Sequence, residues 1–197
     1  MIEMLGVLAI VGVLSVGGIA GYSKAMEKFK TNQLLNDIAH LVVDVQNISL
    51  NQNENKYAWI NNSYRQLNNI LGVYDAFNLD NYKNIFGGST HLSIAWDVDI
   101  HSENQQYFSI SLGGLPLNTC IELLTTDWGA SNSGFVGIGA GYGADSMPIN
   151  DAPCTSDTDY QQYFRCYSKK PLSVAIAAKA CEKISNNYYD GVQLTFK

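Results

Sequence analysis

The stretch IEMLGVLAIVGVLSVGGIAGYSK, residues 2–24, decides how the rest of the chain is read. It carries one carboxylate, Glu3, and then no charged residue from Met4 to Ser23. A helix of that length is about 30 Å long, the thickness of a bilayer's hydrocarbon core. The expectation is a hydrophobic helix over residues 1–23 that anchors in a membrane and packs in the core of an assembly. No basic region precedes the apolar run, and no small-residue cleavage site with turn residues follows it, so it is not a cleaved secretory signal.

The helical pattern continues without a break. From Lys24 to Leu50 the apolar residues Leu34, Ile38, Leu41, Val45 and Ile48 recur at intervals of four and three, one stripe of an amphipathic helix. Residues 24–51 therefore read as the continuation of a single helix of roughly 50 residues, about 75 Å long. Its second half has one face that must pack on a domain. Gly12, Gly17, Gly18 and Gly21 each cost the helix about 1 kcal/mol against alanine. They suit close helix packing and also a stretch ready to lose helicity when its surroundings change. Glu3 is the sharpest residue. A carboxylate among apolar groups must be neutralised or paired; the plainer alternative is a solvated position at the helix N-terminus, where the dipole favours negative charge.

Composition narrows the function classes. The 197 residues carry a net charge of −6 and only 15% charged side chains. With no long basic run, nucleic acid is not expected as the main partner. Cys120, Cys154, Cys166 and Cys181 form no CxxC pair, which leaves little for a zinc ribbon or a thioredoxin-type motif. An even count favours disulfides, with three connectivities open. Gly134 to Gly143 has the look of a nucleotide-binding glycine loop, but a loop rather than a helix follows it, so a flexible or edge-strand segment is expected instead. His40, His91 and His101 lack metal-ligand spacing. Asp151, Asp157 and Asp159 read as a solvated acidic loop rather than a calcium site. No catalytic constellation is recognisable, so neither an enzyme nor a cofactor or metal is expected.

Residues 52–197 read as a globular head. A short helical pattern covers Tyr64 to Leu71, and a turn, Asn84-Ile-Phe-Gly-Gly88, precedes two alternating strands, Leu92 to Val98 and Phe108 to Leu112. Pro116 suits the start of a helix through Thr125 that carries Cys120. A second helix runs from Pro171 to Ser185 with Cys181 near its end, and Val192, Leu194 and Phe196 form a terminal strand. The expected fold class is α+β: a long N-terminal helix packed on a small antiparallel sheet.

Residues Ile2 to Leu14 resemble the N-terminal signature of the type IV pilins, in which a glutamate interrupts an apolar helix. Glu3 stands third where the family's glutamate stands fifth, so the resemblance implies either a mature form without its leader and first residues or atypical processing. The Asn84–Gly88 turn and the run from Phe108 to Cys120 resemble the type IVb branch. The resemblance implies that Cys120 pairs with Cys181, closing the C-terminal region, and consequently that Cys154 pairs with Cys166. It implies that Glu3 pairs with the terminal amine of a neighbouring subunit. It also implies a homo-oligomeric helical filament, handled by assembly machinery in the inner membrane of a Gram-negative bacterium and then displayed as an extracellular pilus that touches host or cell surfaces. The alternatives are a pseudopilin of a type II-like secretion system and a signal-anchored extracytoplasmic binding protein.

Overall fold

The computed structural model describes residues 2–50, 57, 83–94, 107–129, 134–142, 153–155, 165–184 and 190–197. The elements are α1 (Ile2–Ser49), β1 (Thr90–Ile94), β2 (Phe108–Gly113), α2 (Leu117–Thr125), β3 (Phe135–Tyr142), β4 (Arg165–Ser168), α3 (Val174–Ile184) and β5 (Asp190–Phe196). The strands make one antiparallel sheet in the order β1-β2-β5-β3-β4. The expected α+β architecture, a long helix on a small antiparallel sheet with two disulfides in the C-terminal region, is the one observed.

The second half of α1 closes the core. Leu34, Ile38, Leu41, Val42 and Val45 are buried against the sheet and the two short helices, together with Ile110, Leu112, Leu123, Leu124 and Leu194. The stripe differs slightly from the expected one: Ile48 is only half-buried, while Val42 and Ser49 are buried. Ser49 belongs to this face because its hydroxyl folds back to donate to the Val45 carbonyl at 2.7 Å, hiding its polarity in the helix. At the end of this stripe Tyr57, Phe108, Phe196, Phe135 and Trp128 form a chain of ring contacts with centroids 5.0 to 6.5 Å apart, a spacing typical of tilted and stacked aromatic pairs.

The terminal strand proves to be the middle of the sheet. β5 pairs with β2 on one side and β3 on the other, so Val192, Leu194 and Phe196 line the centre of the core. Alternation in β2 does not translate into one exposed face. Ser109 and Ser111 are buried along with Phe108, Ile110 and Leu112. Small hydroxyls serve a closed polar face when they bond each other across strands, as Ser93 and Ser109 do at 2.8 Å. The glycine-rich segment is likewise not an edge. β3 is an interior strand, and Gly137 is required there because the Tyr167 ring of β4 occupies the space a Cβ would need. The helical pattern at Tyr64 to Leu71 and the strand continuation from Ala95 to Val98 lie outside the described residues.

One group of expectations is overturned. Among the described residues, no helix is long and apolar enough to cross a membrane. Lack of charge is a weaker property than apolarity. From Ile10 onward, Gly12, Ser15, Gly17, Gly18, Gly21 and Ser23 dilute the valines and leucines, and Lys24, Glu27 and Lys28 end the stretch. The transmembrane segment, the inner-membrane stage with its later extracellular pilus, and the identification as a type IVb pilin that rested on such an anchor are accordingly withdrawn.

Two expected outcomes test this packing. Ile38→Ala removes a fully buried side chain and should destabilise the protein by about 2–5 kcal/mol in denaturant titrations, whereas exposed Leu14→Ala should change stability by no more than about 0.5 kcal/mol. Burial pushes the Tyr57 phenol up to about 12, opposed by a hydrogen bond with Ser49. The neutral phenol is favoured in the fold, so its contribution is complete below the unfolded value near 10 and is lost as pH rises toward 12. Tyr57→Phe should flatten the fall in stability over that window, measured by chemical denaturation at successive pH values.

Candidate assembly surface

The second half of α1 is held to the head by a small set of polar contacts around the start of α2. Thr31 and Thr119 share a buried hydroxyl–hydroxyl bond of 2.8 Å. Asn118 donates to the Glu27 carboxylate at 3.1 Å, and Lys28 reaches Glu122 at 2.6 Å. The Lys28 pair is largely exposed, so it orients more than it stabilises. Lys30 stands 5.8 Å from the centre of the Phe86 ring. Far along the helix, Gln46 donates to the Lys197 carbonyl at 3.0 Å, and the Lys197 N–H reaches the Gly134 carbonyl at 2.7 Å. The final strand is thereby tied to α1.

Ahead of Lys24 these contacts end and α1 continues. Val7, Ile10, Val11, Val13, Leu14, Val16, Ile19 and Tyr22 are between 53% and 74% exposed. They surround the helix rather than forming one stripe. Ser15 and Ser23 bend their hydroxyls back to the Val11 and Ile19 carbonyls at 2.7 and 3.0 Å, so even these polar residues spend their hydrogen bonds internally. At Gly12, Gly17, Gly18 and Gly21 an added Cβ would meet nothing within 4 Å. The glycines leave shallow, open backbone there. Glu3 belongs to α1, but its side chain lies outside the described residues, as do Asp151, Asp157, Asp159 and His101.

The cysteines pair as Cys120–Cys181 and Cys154–Cys166. The first joins α2 to α3, beside a backbone bond from the Leu172 N–H to the Leu124 carbonyl at 2.8 Å. The second holds residues 153–155 beside the outer edge of β4, where the Cys154 N–H donates to the Tyr167 carbonyl at 3.2 Å and Pro153 bridges Tyr167. Residues 153–155 thus cover part of an edge strand, which would otherwise offer unpaired backbone groups.

Sequence reasoning found the Asn84–Gly88 turn but missed what Asn84 does. Its buried side chain donates to the Gly113 carbonyl at 2.9 Å and accepts from the N–H groups of Phe86 at 2.9 Å and Gly88 at 3.2 Å. Gly88 has no room for a Cβ because the Gly113 carbonyl and Gly114 Cα lie against it. An Asn followed by two glycines is the signal for such a side-chain-stapled turn. The motif is structural: it fixes the entry to β1 against the exit of β2.

Fold and surface together define a class: an α+β head carrying a helix whose apolar first half projects beyond it, a helix-and-sheet architecture loosely consistent with pilin-like subunits. No family model matches the chain, and no curated protein matches it either.

The disulfides yield an ordered prediction. Cys154 retains 8% exposure, while Cys120, Cys166 and Cys181 have at most 1%. Titration with a small dithiol, followed by alkylation and mass spectrometry, should open Cys154–Cys166 first. The sequence separations are 61 for Cys120–Cys181 and 12 for Cys154–Cys166. Replacing the Cys120–Cys181 pair by alanines should therefore cost about 1–2 kcal/mol more than replacing the other, by loop-closure entropy.

Proposed function

We propose that this chain is the structural subunit of a helical, pilin-like filament, assembled by packing the apolar first half of α1 into a bundle of its own copies. The observation that carries this reading is the ring of exposed apolar side chains from Val7 to Tyr22. Burying a large apolar side chain stabilises by about 1.5–3 kcal/mol, so these eight represent a gross gain of at most roughly 12–24 kcal/mol per subunit before the costs of association. A single groove would cover one side only. Copies of the same helix surround it on all sides, and repeated head-to-tail contacts that do not close generate a filament.

In such a bundle Glu3 is a carboxylate among apolar side chains. It requires a cation to be tolerated, and the N-terminal amine of a neighbouring subunit is the partner proposed. Glu3 then acts as a register device: a misplaced subunit leaves the charge unpaired. The glycines of the first half let adjacent helices approach. No catalytic step, metal or cofactor enters this reading.

Electron microscopy and sedimentation of the full chain test it. The wild-type protein should form filaments as its concentration rises. Leu14→Asp, at an exposed position, should keep the wild-type melting temperature and lose assembly. Glu3→Ala should likewise remain folded and fail to form ordered filaments. A wild-type chain that stays monomeric at every concentration, or a Leu14→Asp chain that assembles normally, would overturn the proposal.

A further inference from the structure

Charge is segregated along the head. Residues 84–164 carry nine carboxylates and no lysine or arginine. Residues 165–184 carry five cations, Arg165, Lys169, Lys170, Lys179 and Lys183, against one carboxylate, Glu182. In the fold these cations belong to β4, α3 and the turn that joins them. Lys169, Lys170, Lys179 and Lys183 are all exposed. Lys179 and Lys183 stand one helical turn apart, on the side of α3 opposite the buried Ala177, Ala180, Cys181 and Ile184. Lys169 and Lys170 lie ahead of the α3 N-terminus, where the helix dipole does nothing for a cation. The Lys169, Lys170 and Lys183 ammonium groups form no ion pair with a described residue.

We infer that this basic face of β4 and α3 meets a second copy of the chain, through the carboxylates that dominate the rest of its head. The occupant follows from charge. Each copy has a net charge of −6, so copies placed side by side repel unless opposite signs meet. Residues 165–184 are the strongest concentration of positive charge in the sequence, and residues 84–164 of a neighbour offer negative charge alone. Such a contact is heterologous. Each copy keeps an unused basic face or unused carboxylates for the next, so the contact repeats in an open series. Single exposed ion pairs add little; grouped cations act through steering and by penalising wrong orientations. The inference rests on the filament reading for how the copies are stacked. There the apolar halves of α1 supply the stabilisation, and the head charges set which sides of adjacent heads come together.

Static light scattering on the full chain carrying Leu14→Asp, which the filament reading keeps monomeric, measures this contact apart from the filament. At about 10 mM salt, where the screening length is about 30 Å, the second virial coefficient should be negative, an attraction. It should turn positive at about 1 M salt, where that length is about 3 Å. Adding Lys169→Glu and Lys170→Glu should make it positive at low salt as well, without shifting the melting temperature. A positive coefficient at low salt before those changes, as net charge alone dictates, would overturn the inference and leave the filament reading standing. Attraction that survives both changes would also overturn it. Attraction in a protein whose wild-type form never makes filaments would keep the contact and sink the filament reading. Heparin serves as a polyanion probe in the same chains. Heparin binding abolished by the two changes, together with repulsion between copies, would assign the face to a polyanion and overturn the inference.

Discussion

The head depends on a single contact: the stripe Leu34, Ile38, Leu41, Val42 and Val45 laid against the sheet. The sheet's inner face is built from Phe108, Ile110, Leu112, Val192, Leu194 and Phe196, none of which could remain in water without that cover. Since α1 is one continuous helix, placing its second half also sets the direction of its first. The apolar residues ahead of Lys24 therefore project from a rigid base. Their exposure is a consequence of packing, not of a loose terminus.

The cross-links reinforce that base from the far side. α2 touches α1 through Thr119, Asn118 and Glu122 and holds α3 through Cys120–Cys181. α1, α2 and α3 are thus coupled in sequence, while Gln46 and Gly134 fasten Lys197 at the end of β5. The outward face of the base stays free of these ties. Tyr22, Phe29, Val43 and Leu50 lie there, exposed.

Much of this was legible in the sequence because periodicity reports directly on burial. The four-three spacing from Leu34 to Val45 marked the docked face, and alternation in Val192, Leu194 and Phe196 marked a strand. What alternation does not encode is neighbours, so the last strand's central place was not visible. β3 was misread because glycines signal flexibility locally, while Gly137 serves an aromatic ring from a strand nearly thirty residues later. β4, Arg165–Ser168, is too short for a pattern to emerge. The membrane expectation fails on a different ground: among the described residues, no helix is long and apolar enough to cross a membrane. In the assembly surface, Val7 to Tyr22 could be read from composition.

The central claim is that copies of this chain cover residues 7–22. Hydrogen–deuterium exchange across α1, compared between dilute and concentrated full-length protein, measures that cover directly. The account predicts slow exchange in Lys30 to Val45 at all concentrations, and protection of residues 7–22 that arises only on assembly. Equal exchange of residues 7–22 in dilute and concentrated protein would contradict it.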